Sequence, residues 1–293
     1  MRFILLLCLI FSLPSSSDDH IVVTVGPQKA DDASYDYFMQ LLTKAMQITE
    51  KEYGPFQIKT VPHPGQERVL MLLSAGKFYD IAWSGSSKQR DEKLQRVAFP
   101  LFKGGLGWRG SIVRQEDSDR FSKITDKAEL TEWIACQGMH WPDADILEQG
   151  GLTVYRVTHF DSMLQMLVLK RCDYLPLSIF EGEAELALVA DSFPSLSFNH
   201  DVIIRYPLTM NFYVNLDNTL LAERLEAGLI ALEQNGKLVS FMQAHPLTEN
   251  AFPLSHFNNA TLITLDNANY QGDELHKYGF KWLSKSDKNQ SNN

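Results

Sequence analysis

This chain is poor in cysteine, has no surplus of positive charge and, beyond its first residues, carries no long apolar run. Each absence excludes something. Three cysteines in 293 residues cannot staple a fold. Stability must come from a packed core, and 44% hydrophobic content at this length supplies one, divided over two domains. Lys and Arg number 27 against 36 Asp and Glu, a net charge of −9, with no basic stripe interleaved with aromatics. That balance argues against nucleic acid as a partner. No HExxH, no G-x-S-x-G and no reactive-cysteine context is present, which removes the common signatures of exported hydrolases.

What is there begins with a targeting segment. Residues 1–17 read as a cleavable export signal: Arg2 as the positive start, an apolar stretch over 3–13, and Ser15-Ser16-Ser17 as the small-residue cleavage region. The apolar stretch is too short for a permanent membrane span. Cys8 lies inside it with no small residue before it, so a lipid anchor is not expected. Export leaves Cys136 and Cys172 in a compartment that permits disulfides. Two cysteines make no framework, so the preferred reading is a pair of small buried thiols, with pairing left open.

The middle of the chain organises the rest. An apolar run over 79–83 reads as a buried strand, and Ser84-Gly85-Ser86-Ser87 follows as a loop of small donors. A charged helix is predicted over 88–96. Strand, polar loop and helix in that order build a ligand crevice at the carboxyl end of a strand. Before it, a strand (21–26), a helix (35–53), a strand (56–61) and a helix (66–75) predict a parallel, doubly wound sheet. The grammar repeats in the second half, with strands over 133–136, 152–157, 173–177 and 202–204 and helices over 141–149, 160–170 and 180–190. Helices over 220–233 and 238–244 close the pattern, with a strand at 261–265 and a polar tail over 284–293. Gly105, Gly107 and Gly110 spell G-x-G-x-x-G, but no strand precedes them and no helix follows, so they are read as permissive backbone leading out of one domain.

These pieces resemble a family. Arg68-Val69-Leu70 through Gly76-Lys77-Phe78-Tyr79-Asp80-Ile81-Ala82, then Glu92-Lys93 and Val97-Ala98-Phe99, and later Lys170-Arg171-Cys172-Asp173-Tyr174, look like the periplasmic solute-binding proteins of ABC transporters. The likeness is to their amino-acid-binding class, solute-binding protein family 3. It implies the two-lobed type 2 periplasmic-binding fold: lobe one over 18–110 and 209–283, lobe two over 111–208, joined by crossings near 107–114 and 209–215. It further implies an exported, monomeric binder of a small polar solute, an amino acid or similar, which serves a membrane permease or receptor without enzymatic activity or cofactor.

Carried over residue by residue, the resemblance puts ligand contacts on Ser84 and Ser87. The carboxylate-binding cation falls nearest Lys93, with Arg90 as the competing choice and Arg109 on the crossing as a third. A planar guanidinium grips a carboxylate bidentately where lysine offers a point charge. His140, Trp141 and Asp143 fall at the helix start that receives the ligand, with Asp145 beside them. Glu181 is the charged candidate for an α-amino group, and Tyr35 and Trp83 stand in for the stacking aromatic.

Plainer readings compete. Arg90 and Lys93 fit the outer face of a solvated helix as well, and His140, Asp143 and Asp145 fit a helix start better than a metal site. Glu181, Glu183 and Glu185 share spacing too poor for a catalytic pair. The same fold also serves as a sensor that reports to a membrane receptor, and an exported hydrolase is the more distant alternative. The export reading predicts that N-terminal sequencing of the secreted protein starts near Asp18; a sequence starting at Met1 contradicts it.

Overall fold

The structure is a computed structural model, and it describes residues 20–27 and 32–281. The export segment at 1–17, with Arg2 and Cys8, and the tail at 284–293 lie outside the described residues. Among the described residues, eleven strands form two sheet systems. In the first, β1 (His20–Val25) and β2 (Phe56–Val61) run parallel, paired from His20↔Phe56 to Val25↔Val61. β3 (Ile81–Gly85) and β4 (Gln95–Arg96) flank β10 (Met210–Val214), each antiparallel to it. Asp80 joins the two groups: its N–H donates to the Val23 carbonyl at 2.8 Å and its carboxylate accepts from the Val23 N–H at 2.8 Å.

The second sheet has the order β11-β9-β5-β8-β6-β7, built from Thr261–Thr264 (β11), Leu196–Arg205 (β9), Trp108–Arg114 (β5), Tyr174–Ser178 (β8), Ile134–Gly138 (β6) and Thr153–Val157 (β7). β5 and β8 are buried at every position; β8 is largely apolar, whereas β5 carries Arg109 and Arg114, which are paired with Asp143 and with Asp117 and Asp173.

Both systems are layered with helices. Ala33–Ile48 turns Tyr37, Phe38, Leu41, Leu42, Ala45 and Met46 inward at helical spacing. Asp32 caps it by accepting from the Tyr35 N–H at 2.9 Å. In the other lobe Phe160–Val168 buries Met163, Leu164 and Leu167. No helix among the described residues is long and apolar enough to cross a membrane.

Two crossings run side by side between the systems, one ending at Trp108 and one leaving Arg205. The Tyr206 N–H donates to the Gly107 carbonyl at 3.0 Å. A Cβ at Gly107 would overlap the Tyr206 carbonyl oxygen, so glycine is required there by the close approach of the crossings.

Three expectations are corrected. The predicted helix over 88–96 is a single turn, Lys88–Asp91, because Gln95 and Arg96 leave it to pair with Val214 and Tyr213 of β10. Residues 261–264 do not return to lobe one; β11 pairs in parallel with β9 and extends the larger sheet. The chain then crosses back: Arg96 meets the Glu274 carboxylate, and the Lys103 ammonium donates to the Tyr278 carbonyl at 2.8 Å.

Third, Cys136 and Cys172 are bonded to each other and are not two free thiols. β6 and β8 are parallel neighbours, and their pairing brings the two Cα atoms to 5.8 Å. That proximity is a tertiary fact, invisible in a separation of 36 residues. Closing a loop of this length restricts the unfolded chain, so a Cys136→Ala/Cys172→Ala protein should lose about 2–5 kcal/mol in urea denaturation. Coincident denaturation curves would contradict a stabilising role.

Candidate functional site

β3 ends at the boundary between the lobes, and the loop after it is tied down at once. The Ser86 N–H donates to the Thr209 carbonyl at 2.7 Å, and its hydroxyl accepts from the Thr209 N–H at 3.2 Å. Ser87 then caps the short turn Lys88–Asp91, accepting from the Arg90 N–H at 3.3 Å. One turn of helix rotates Arg90 inward, where it is 8% exposed, while Lys93 stays exposed.

The Arg90 guanidinium donates to the Gly85 carbonyl at 2.8 Å and to the Glu67 carboxylate at 3.1 Å. It also reaches the opposite lobe, donating to the His140 carbonyl at 2.9 Å. The facing wall is the chain entering the helix Pro142–Gln149, with proline where a first turn lacks a donor partner in any case. Trp141 lies back over Gly138, where any Cβ would overlap the indole.

Two cavities flank Arg90. The smaller, about 80 Å³, lies at the carboxyl ends of β1 and β3 and gathers Asp32, Ser34, Tyr35, His63, Gln66 and Trp83. Tyr35 and Phe38 both pack on Trp83, at centroid distances of 6.1 and 5.2 Å. The larger, about 330 Å³, opens between the lobes and is walled on one side by Glu67, Met71, Ser87, Arg90 and Lys93. Met139, His140, Trp141, Asp145 and Arg156 wall the other. Its volume falls at the lower end of the range for small-molecule sites.

Behind the larger cavity lies a buried polar group. The Asp143 carboxylate is paired with the Arg109 guanidinium and accepts from the Tyr206 hydroxyl at 2.5 Å. Burial beside that carboxylate pushes the Tyr206 hydroxyl well above the usual tyrosine range. Glu181 sits at the same junction. Burial pushes its carboxyl up to about 7, against the downward pull of Arg109.

The predicted residues are thus sorted. Tyr35 and Trp83 line the small cavity; Ser87, Arg90, Lys93, His140 and Trp141, with Asp145, line the large one. Ser84 is fully buried on β3. Ser84, Arg109, Asp143 and Glu181 line neither cavity, the last three because they are gathered at the crossings. Trp108 is 4% exposed beneath the Arg205 guanidinium and also lines neither. Sequence reasoning missed Glu67, Met71 and Arg156, which reach the cleft only through the packing of helix Gln66–Ser74 and the pairing of β7. None carries a motif.

No protein-family model matches the chain, and no curated protein matches it. Solved structures do. An amino acid ABC transporter substrate-binding protein from Streptococcus pneumoniae bound to L-arginine is similar with a TM-score of 0.55 and 12% identity, over 72% of this chain and 83% of that one. A periplasmic His/Glu/Gln/Arg/opine family-binding protein from Silicibacter pomeroyi, in complex with lysine, gives 0.52 and 13% over 73% and 86%. The GluR0 ligand-binding core of Nostoc punctiforme, in complex with L-glutamate, gives 0.51 and 14% over 77% and 97%. The fold is therefore the two-lobed, type 2 periplasmic-binding fold. At these identities the likeness is one of architecture.

The junction makes a pH prediction. A carboxyl whose folded pKa lies above its unfolded value favours folding while protonated. That contribution is fully present below about pH 4.5 and is lost as pH rises through about 7. Glu181→Gln mimics the protonated form, so its melting temperature should exceed that of wild type at pH 8, the gap closing on acidification. A difference independent of pH between 4 and 8 would remove the burial argument.

Proposed function

We propose that this chain is an exported solute-binding protein that captures a small polar solute, amino-acid-sized, between its lobes and delivers it to an ABC-type membrane permease. The observation that carries this reading is the cavity of about 330 Å³ walled by both lobes and spanned by Arg90. A ligand there touches both walls only when the lobes are closed, so its binding energy shifts the population toward the closed form. Recognition needs no covalent chemistry: apolar walls supply contact area, and a few fixed donors supply orientation. The likeness of the fold to binding proteins crystallised with arginine, lysine and glutamate supports the same reading.

The smaller cavity adds a second subsite on lobe one, where Tyr35 and Trp83 offer flat amphipathic surfaces. Affinity on the order of micromolar, about −8 kcal/mol, suits reversible capture.

Native mass spectrometry of gently purified protein should reveal a co-purified solute. Adding that solute back after dialysis should compact the protein in small-angle scattering and change the fluorescence of Trp83 and Trp141. A broad panel of polar metabolites that leaves both signals unmoved counts against the reading.

A further inference from the structure

The charge census of the larger cavity narrows what it holds. Six charged or titratable side chains line it: Glu67, Arg90, Lys93, His140, Asp145 and Arg156. Four are matched in place. Glu67 is 3.1 Å from Arg90, and Asp145 is 2.5 Å from Arg156, which also holds Glu148 at 2.7 Å. Lys93 forms no ion pair among the described residues. Both lining carboxylates are therefore committed, while one cation is not.

The acids nearest to hand do not repair this. Asp143 is taken by Arg109 and Tyr206, and Glu181 lines neither cavity. An ammonium group entering the cavity meets no free carboxylate. A carboxylate entering it meets Lys93, and it meets Arg90, whose reach to the other lobe ends on a neutral carbonyl. Exchanging that carbonyl for a carboxylate replaces a neutral acceptor with an ionised one, the stronger partner for a guanidinium. Between these groups lie Leu70, Met71, Leu94, Met139 and Trp141, an apolar lining drawn from both lobes.

Resting on the solute-binding reading above, we propose that the solute is an organic acid with an apolar body and no ammonium group beside its carboxylate: an aryl- or alkyl-carboxylate and not an α-amino acid. Lys93 and Arg90 receive the carboxylate, and Trp141 with the two methionines covers the body.

Two matched series test this on extensively dialysed protein by calorimetry: 3-phenylpropanoate, L-phenylalanine and phenethylamine, and hexanoate, L-norleucine and pentylamine. In at least one series the acid should bind at least tenfold tighter than the amino acid, with no binding of the amine. Lys93→Gln should weaken the acid at least tenfold while leaving circular dichroism and melting unchanged, since Lys93 is exposed. An amino acid that binds as tightly as its acid, or acid affinity unchanged in Lys93→Gln, overturns the inference and leaves the solute-binding reading standing. Binding of none of the six also overturns it, and the capture reading then stands or falls on the broader metabolite panel.

Discussion

A guanidinium and a carboxylate, those of Arg109 and Asp143, lie out of water where the lobes meet, their side chains 4% and 5% exposed. Neither ion is tolerable there alone, since removing one partner of such a pair costs on the order of 3–5 kcal/mol. Arg109 belongs to the first crossing, Tyr206 to the second, and both converge on one carboxylate in the first turn of Pro142–Gln149. The start of that helix is thereby held in register with both crossings, and with it His140 and Trp141, the far wall of the cleft. Glycine at 107 permits the approach of the crossings that makes this convergence possible.

Against this fixed wall, lobe one presents a side chain that spans the gap. Arg90 is positioned by a capped turn of helix and by the Gly85 carbonyl, so the lobe-one end of the bridge is rigid. A further contact, to the His140 carbonyl at 2.9 Å, lies in the opposite lobe. One guanidinium therefore ties a lobe-one carbonyl, Gly85, to a lobe-two carbonyl, His140, across the cleft. Ser34 makes a similar reach on the same side, donating to the Glu185 carboxylate at 3.1 Å.

The chain after residue 260 also spans the two sheet systems. β11 belongs to the larger sheet, yet Glu274 and the Tyr278 carbonyl are held by Arg96 and Lys103 of lobe one. The two sheet systems are thus linked a third time, beside the two crossings. Phe280 packs against both Phe180 and Phe252, which anchors the end of that connection.

Much of the architecture was legible in local pattern. Period-two and buried apolar runs located most strands, helical spacing located Ala33–Ile48 and Phe160–Val168, and the small-residue loop after β3 marked the cleft, because these are properties of neighbouring residues. The local pattern failed where partners are distant. Residues 88–96 look like one charged helix, but β10, more than a hundred residues later, draws Gln95 and Arg96 into strand. The cysteines look independent until β6 and β8 become neighbours. For the site, the resemblance to a family put forward Arg90, Lys93, His140, Trp141 and Asp143 as candidates from the place of their segments in the chain. Which of them face a cavity depended on how charges neutralise one another in three dimensions. Asp143 is spent on Arg109, Asp145 on Arg156 and Glu67 on Arg90, while Lys93 is left over; pairing of that kind is decided only when the lobes are packed.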